Sequence, residues 1–249
     1  MSDRDKDKDR DGMQKIDRPG RPENLPSAEV LWARWALVAV LEASAAKETE
    51  SGYRAGTWVD DEGLHLDDGG CTWWTFSPMG DGRYVLYGED ESSAVKWHEP
   101  AVDMLAGGPD WLPYDELRDR LQGWELGCVY WYENGAWARA PYPDGLDDDG
   151  LDCGMSRFVV RGEALALLAE ARRERSTADA AVTVADLMAA AEAYRLAPEL
   201  LAAFTEGSEA GTRELPAMGR SLALAGLVGP AAEPAAVAAP AASASASAQ

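Results

Sequence analysis

The clearest hydrophobic pattern near the start of the chain is an apolar run over residues 30–41, which contains one charged residue, Arg34. Its large side chains cover more than one face of a 3.6-residue helix, which predicts a well-buried helix. Ser27 stands before the run as a candidate N-cap, and Glu29 falls in the first turn, where the helix dipole favours an acid. We therefore predict a buried helix from Ser27 to about residue 46.

Beyond this helix the hydrophobic period changes to two, which predicts β-strands separated by turn residues. We expect an antiparallel sheet of about five or six short strands, at residues 57–60, 64–67, 71–77, 83–88, 126–133 and 136–142. A five-residue loop over 78–82 is predicted between the third and fourth strands. A helix is predicted at 113–121, because Leu117 and Leu121 stand four residues apart.

The strongest local signal is the pair Asn134-Gly135, whose residues tolerate the positive φ of a type I′ hairpin turn. A two-residue loop fixes the register, so that Tyr132 faces Trp137 and Tyr130 faces Arg139. Because side chains alternate between the two sides of a sheet, these four residues share one face.

That shared face is a candidate partner-binding surface, since Tyr, Trp and Arg are the residue types enriched at binding hot spots. The alternative is that this face has only a structural role and is covered by a helix or by the C-terminal part of the chain, because exposed aromatic patches are uncommon. The opposite face of the hairpin places Trp131 among small residues, and we expect Trp131 to lie in the core.

The rest of the chain predicts helices and two tails. Ala- and Leu-rich stretches predict helices at residues 161–175, 184–195 and 198–204. Both ends lack the apolar side chains that a core requires, so both are expected to be disordered. The expected α+β organisation is a charged tail (1–26), an α+β domain containing the buried N-terminal helix (27–158), a helical segment (159–228) and an Ala/Pro/Ser tail (229–249).

A formal net charge of −21 narrows the possible partners. Residues 48–152 hold 24 acidic and 6 basic side chains, and all ten tryptophans lie between Trp32 and Trp137. This balance argues against nucleic acid and against anionic membranes, because no basic stripe is present to neutralise phosphates. A dense negative field attracts basic surfaces, so we expect a basic protein partner. The expected acidic contact residues are Asp147, Asp148 and Asp149.

The sequence contains none of the standard catalytic or cofactor motifs, which favours a non-catalytic protein without a cofactor. Three cysteines and the two histidines, His65 and His98, show no ligand pair at the spacing of a zinc site, so no metal site is expected. The alternative function is a carbohydrate-binding or glycoside-hydrolysing domain, with Trp rings stacked on sugars and two carboxylates flanking the bond. However, the carboxylates cluster in predicted turns, where Asp is common for turn chemistry alone.

Cysteine usage favours a cytoplasmic protein, because three cysteines without a C-x-x-C pair do not form a disulfide framework. The apolar run at 30–41, followed by Ala43-Ser44-Ala45, imitates a signal peptide. Arg34 interrupts the run, which is also too short to span a bilayer. A buried helix of a soluble protein is the favoured interpretation.

Two stretches carry a resemblance to known proteins: residues 107–114 (GGPDWLPY) and residues 129–137 (VYWYENGAW). Both resemble uncharacterised acidic, Trp-rich proteins of high-GC actinobacteria. The first is also similar to the Leu-Pro entry to a helix in the SMI1/KNR4-like (SUKH) immunity proteins. What this resemblance implies is an acidic α+β immunity protein that caps a basic toxin.

Overall fold

A computed structural model of the chain describes residues 15–43, 54–175, 182–206 and 209–228. Within these ranges it confirms the predicted α+β class, with seven α-helices and one six-stranded antiparallel sheet. The helices are α1 (Ala28–Glu42), α2 (Tyr114–Gln122), α3 (Asp152–Val159), α4 (Arg161–Arg175), α5 (Val184–Glu192), α6 (Pro198–Phe204) and α7 (Glu209–Ala225). The strands are β1 (Gly56–Val59), β2 (Leu64–Asp67), β3 (Trp73–Gly80), β4 (Arg83–Glu89), β5 (Cys128–Glu133) and β6 (Ala136–Arg139). The predicted tail at 229–249 and the first 14 residues of the predicted tail at 1–26 lie outside the described residues.

The sheet is a simple meander in which each strand pairs with the next one along the chain, in the order β1 to β6. The predicted register of the β5–β6 hairpin is confirmed, with Tyr132 opposite Trp137 and Tyr130 opposite Arg139. The turn residues at 134 and 135 have φ of 53° and 80°, as a type I′ turn requires. The faces of this hairpin are therefore those that the sequence predicts.

The turn between β3 and β4 is tighter than the predicted five-residue loop, and that prediction was wrong. Strand β3 continues to Gly80, which pairs with Arg83, so only Asp81 and Gly82 form the turn. Both have positive φ, 54° and 69°, and Asp-Gly is itself a favoured type I′ pair. The register shifts after Pro78, and this irregularity accommodates the proline within a strand.

The face of the sheet that carries Phe76, Tyr84 and Trp137, called the first face below, packs against α1, which is buried on nearly all sides. Its predicted N-cap is confirmed, because the Ser27 hydroxyl accepts a hydrogen bond from the backbone N–H of Val30 at 3.4 Å. The Trp32 ring contacts Phe76 and Tyr84 of the sheet, and its indole N–H donates a hydrogen bond of 2.9 Å to the carbonyl oxygen of Ala225 in α7. The helix therefore lies between the sheet and the C-terminal helices.

Arg34, the charge inside the apolar run, is buried with its partners supplied by the C-terminal half of the chain. Its guanidinium donates to the Glu192 carboxylate at 2.8 Å and to the Val159 carbonyl oxygen at 2.7 Å. A buried charge is tolerated only when it is paired and hydrogen-bonded, and Arg34 meets both conditions. Its contacts tie α1 to α5 and to the end of α3.

The α+β part and the helical segment, predicted as ranges 27–158 and 159–228, share one core. Buried side chains of α1, of the first sheet face and of helices α3 to α7 form a single hydrophobic cluster. The sequence did not predict α3, which starts at the end of the acidic loop, or α7, which contains Pro216.

The second face of the sheet is covered by the connection between β4 and β5 and by the loop after β6. A second buried cluster joins Val85, Tyr87, Val129 and Trp131 of the sheet to Leu117 of α2 and to neighbouring apolar residues. The core position predicted for Trp131 is confirmed. The sheet is thus covered on both sides.

Residues 15–26 belong to the folded part of the molecule, which corrects the predicted tail boundary at residue 26. The side chains of Ile16 and Leu25 are buried, and a 3₁₀ turn spans Pro22–Asn24. The Arg18 guanidinium pairs with the Asp152 carboxylate at 2.7 Å. A few anchoring residues order this segment although its average composition is charged.

Candidate functional site

The aromatic face predicted to bind a partner is part of the core. Tyr130, Tyr132 and Trp137 belong to the cluster beneath α1, and none is more than 9% exposed. The Trp137 indole donates to the Pro26 carbonyl oxygen at 2.6 Å, and the Tyr132 hydroxyl donates to a Glu29 carboxylate oxygen at 3.4 Å. In this structure the three rings are not available as a contact surface, because α1 and the segment before it cover them.

Asp149, also predicted to contact a partner, is the buried acceptor of a hydrogen-bond network. The hydroxyls of Tyr130 and Tyr142 donate to it at 2.7 and 3.1 Å, and the backbone N–H of Gly20 donates at 2.9 Å. Burial, together with the negative charge of Asp149, raises the pKa of Tyr130 well above its ordinary value. Arg139 closes the network, since its guanidinium donates to the Gly20 carbonyl oxygen and lies 3.6 Å from the Tyr142 ring centroid. Asp149 and Arg139 therefore hold the N-terminal segment in place.

The other two predicted acidic contacts differ from Asp149 and from each other. Asp148 is half-buried, accepts the backbone N–H of Gly150 at 2.8 Å and pairs with Arg18 at 3.5 Å. Asp147 is exposed. Of the three aspartates predicted to attract a basic partner, only Asp147 presents a solvent-exposed side chain.

Two tryptophans that sequence reasoning did not single out form an exposed pair. Trp97 and Trp124 are 69% and 60% exposed, and their ring centroids lie 5.6 Å apart at an interplanar angle of 35°. Among the described residues, they are the tryptophans exposed to this degree. They stand far apart in the sequence and in no periodic pattern, so no local signal brings them together.

A lysine between two backbone segments fixes this tryptophan pair. Trp97 ends the 3₁₀ turn Val95–Trp97, and Trp124 follows α2 with a positive φ of 61°. The ammonium of Lys96 donates to the Trp124 carbonyl oxygen at 2.6 Å and forms an ion pair with Glu89 at the end of β4. Because the lysine side chain is largely buried, the two rings project from a tethered backbone rather than from free loops.

Polar and charged residues, two of them exposed glutamates, stand near the tryptophan pair in sequence. Glu99 and Glu125 are exposed close to the two rings in sequence, and Arg120 lies 3.8 Å from the Glu125 carboxylate. The face of an indole attracts cations through its quadrupole, and neighbouring carboxylates add to that attraction. Chemically, the pair can stack on a flat group or hold a guanidinium or ammonium.

A second group of residues gathers at the turn between β1 and β2. One ligand atom each from Asp60, Glu62 and His65 lies within 4.8 Å of the others. The Nε2 of His65 is 2.9 Å from an Asp60 carboxylate oxygen, and its Nδ1 is 3.2 Å from the Thr75 hydroxyl. The hydrogen bond from His65, together with others, lowers the pKa of Asp60 despite the opposing effect of burial, which is the largest single contribution.

The order hydroxyl, imidazole, carboxylate at Thr75, His65 and Asp60 has the connectivity of a nucleophile relay. However, Thr75 lies within the sheet and is only 4% exposed, so a substrate does not reach its hydroxyl in this structure. The donor set formed by Asp60, Glu62 and His65 fits a metal ion better, because it combines two carboxylates with an imidazole and one of the carboxylates, Glu62, is exposed. From the sequence, His65 was considered as a metal ligand only together with the cysteines, and not with the two carboxylates beside it.

Among the residues that the structure describes, no helix has both the length and the apolar character needed to cross a membrane. Comparison of the chain with family models, with curated proteins and with solved structures found no match.

Proposed function

We propose that this chain is a non-catalytic binding protein for a basic protein partner, and that Trp97 and Trp124 form the central contact. The observation that carries the proposal is the exposure of both rings, at 69% and 60%, on a chain of net charge −21. Burial of an aromatic side chain contributes a large part of the energy of most protein interfaces. The paired rings therefore replace the covered hairpin face as the proposed anchor.

The charge distribution supports a basic partner rather than an acidic one. The negative field of the whole chain accelerates the approach of a positively charged surface, and Glu99 and Glu125 stand close to the rings in sequence. An arginine side chain suits this setting, since its guanidinium stacks on indole and pairs with carboxylates. Capping a basic toxin in the manner of an immunity protein is one form of this function. The proposal also places the protein in the cytoplasm, consistent with three cysteines that form no disulfide.

The test titrates the full chain with a short arginine-rich peptide and compares it with a variant carrying Trp97→Ala and Trp124→Ala. The double variant keeps the net charge, so electrostatic attraction is unchanged and only the anchor is lost. We expect the affinity to fall by about tenfold or more, because truncation of a hot-spot residue commonly costs about 2 kcal/mol. Leu224→Ala is the matched control, since Leu224 is an exposed apolar residue of α7, on the other side of the sheet.

Salt dependence separates this function from carbohydrate binding, which would use the same two rings. Association with the basic peptide should slow as ionic strength rises, whereas stacking on a neutral oligosaccharide hardly responds to salt. Equal peptide affinity of the wild-type chain and the double tryptophan variant would refute the proposed anchor. Tight, salt-independent binding of a neutral oligosaccharide, lost in the same variant, would replace the protein partner by a sugar.

A further inference from the structure

The β1–β2 turn holds three potential metal ligands within six residues of sequence. Asp60 and Glu62 lie in the turn itself, and His65 is the second residue of β2. Their ligand atoms lie within 4.8 Å of one another. Two opposed bonds of about 2.0–2.2 Å span at most about 4.4 Å, so binding an ion would require a small inward rotation of the exposed Glu62 side chain. The short spacing keeps the entropic cost of bringing the ligands together low.

The backbone of the turn fixes the positions of these ligands. The backbone N–H of Asp60 donates to the Gly63 carbonyl oxygen at 3.0 Å, which closes the turn. Gly63 has a φ of 144°, and a Cβ atom there would lie 2.4 Å from the Phe76 carbonyl oxygen, so the turn requires glycine. The Asp60 carboxylate also accepts the backbone N–H of Glu62 at 2.9 Å. The carboxylates therefore project from a constrained loop.

Residues outside the ligand set orient the imidazole and one of the carboxylates. The Trp58 indole donates to the second oxygen of Asp60 at 3.0 Å, and the Thr75 hydroxyl lies 3.2 Å from Nδ1 of His65. The Trp58 ring also stacks on the imidazole, with centroids 5.0 Å apart and planes 17° apart. Protein metal sites typically hold the far nitrogen of a histidine ligand and the free oxygen of a carboxylate ligand in this way.

The pairing of β2 with its two neighbouring strands fixes the orientation of the His65 imidazole. His65 lies opposite Trp58 on β1 and opposite Thr75 on β3, so both its flanking partners come from neighbouring strands. The imidazole is buried on the sheet, and its Nε2 faces the Asp60 carboxylate. When Nδ1 donates its proton to the Thr75 hydroxyl, the Nε2 lone pair points towards the two carboxylates.

We propose that Asp60, Glu62 and His65 bind a divalent transition-metal ion of the zinc type through two carboxylates and one imidazole nitrogen. The imidazole favours such an ion over Ca²⁺, which takes six to eight oxygen ligands, and over Mg²⁺, which also prefers oxygen. Glu62 is exposed, so the remaining coordination positions are open to water or to a group from another molecule.

The experiment strips the full chain with a chelator and titrates it with ZnCl₂ by calorimetry. We expect one zinc ion per chain, and a loss of affinity of at least tenfold in Glu62→Gln and in His65→Gln. Glu62 is exposed, so its variant should fold normally even if His65→Gln does not. Asp61→Asn in the same turn and His98→Ala at the other histidine are the matched controls, and both should bind zinc like the wild-type chain.

Trp58→Phe tests the orienting contact separately. It keeps a ring beside His65 but removes the indole donor to Asp60, and loss of such an outer contact typically weakens metal binding by about 10- to 100-fold. Three outcomes overturn the proposal: no zinc binding by the wild-type chain, equal zinc affinity in Glu62→Gln, or loss of zinc binding in His98→Ala. Displacement of zinc by a modest excess of CaCl₂ would overturn the assignment to a transition metal.

Discussion

The two faces of the sheet are covered in different ways, and the difference separates the structural part of the molecule from its candidate sites. On the first face, α1 and the C-terminal helices form one continuous cluster that buries Trp32, Trp35 and Trp74 completely. On the second face, a 3₁₀ turn, the short helix α2 and irregular connections form the cover. The exposed tryptophan pair and the His65 cluster both belong to this second side. Irregular segments held on a rigid scaffold are where binding residues usually lie.

The largest expected effect is a difference in stability between two variants, each of which removes a tryptophan from one side of the sheet. Trp35 stacks on Phe158 with centroids 4.7 Å apart and is fully buried, so Trp35→Ala should lower the free energy of unfolding by about 3–5 kcal/mol. Trp97→Ala removes an equally large ring from the second side but should change stability by no more than about 0.5 kcal/mol, because that ring is exposed. Urea denaturation of both variants measures the contrast. Comparable losses would show that the exposed pair is a structural element and not a free surface.

The next effect tests whether residues 15–26 belong to the first side. A Cβ atom on Gly20 would lie 2.5 Å from Leu151 Cδ2 and 2.8 Å from the Tyr130 hydroxyl. Gly20→Ala should therefore destabilise the chain by about 1–3 kcal/mol, the usual cost of overpacking. Gly162→Ala in α4 is the control, since the added methyl group meets no atom within 4 Å and should stabilise by about 0.4–1 kcal/mol. A neutral Gly20→Ala would mean that this segment does not pack on the sheet in solution.

The smallest effect is a difference in stability at alkaline pH. Burial raises the pKa of Tyr130 on the first face, and burial likewise raises the pKa of Tyr87 on the second. Both folded-state pKa values lie above the unfolded value of about 10. Below pH 10 both tyrosines are therefore protonated in the folded and the unfolded state, and ionisation does not reduce the free energy of unfolding. Above pH 10 each tyrosine ionises in the unfolded state first, which lowers the free energy of unfolding by at most about 1.4 kcal/mol per pH unit until the folded-state pKa is reached.

The measurement is urea denaturation at several pH values above and below the tyrosine pKa, for the wild-type chain and for Tyr130→Phe and Tyr87→Phe. Each variant should lose stability less steeply with rising pH than the wild-type chain does. If only Tyr87→Phe reduces the slope, the first face is more open to water than the second, which reverses the comparison.

Features that depend on neighbouring residues could be predicted from the sequence. The register of the β5–β6 hairpin followed from Asn134-Gly135, and the N-cap at Ser27 followed from the apolar run behind it. The length of the β3–β4 turn was predicted wrongly because Pro78 suggested a loop. The pair Asp81-Gly82, which favours a two-residue turn, indicated the correct structure. The cluster of Asp60, Glu62 and His65, proposed above as a metal site, could also have been predicted, since a hairpin with a short turn places these residues together.

Features that depend on distant contacts could not be predicted. The pairing of Trp97 with Trp124 depends on Lys96, whose ammonium reaches the backbone of a segment 28 positions away. The order in residues 15–26 depends on Asp149, 129 positions from Gly20, while the local composition indicates a tail. The same distant packing covers the aromatic hairpin face. In each case, contacts between residues far apart in the sequence decide the outcome, and the local composition does not show them.

The burial of α1 has a consequence for the order in which the chain folds. Every strand pairs with its neighbour in sequence, so the sheet can form from local contacts as soon as residues 56–139 have left the ribosome. The Trp32 indole, by contrast, meets the Ala225 carbonyl oxygen 193 positions later. Until α7 has been synthesised, one side of an almost wholly apolar helix stays in contact with water. We therefore expect nascent or truncated chains that end before residue 209 to aggregate or to bind chaperones through α1, and the full chain to release them.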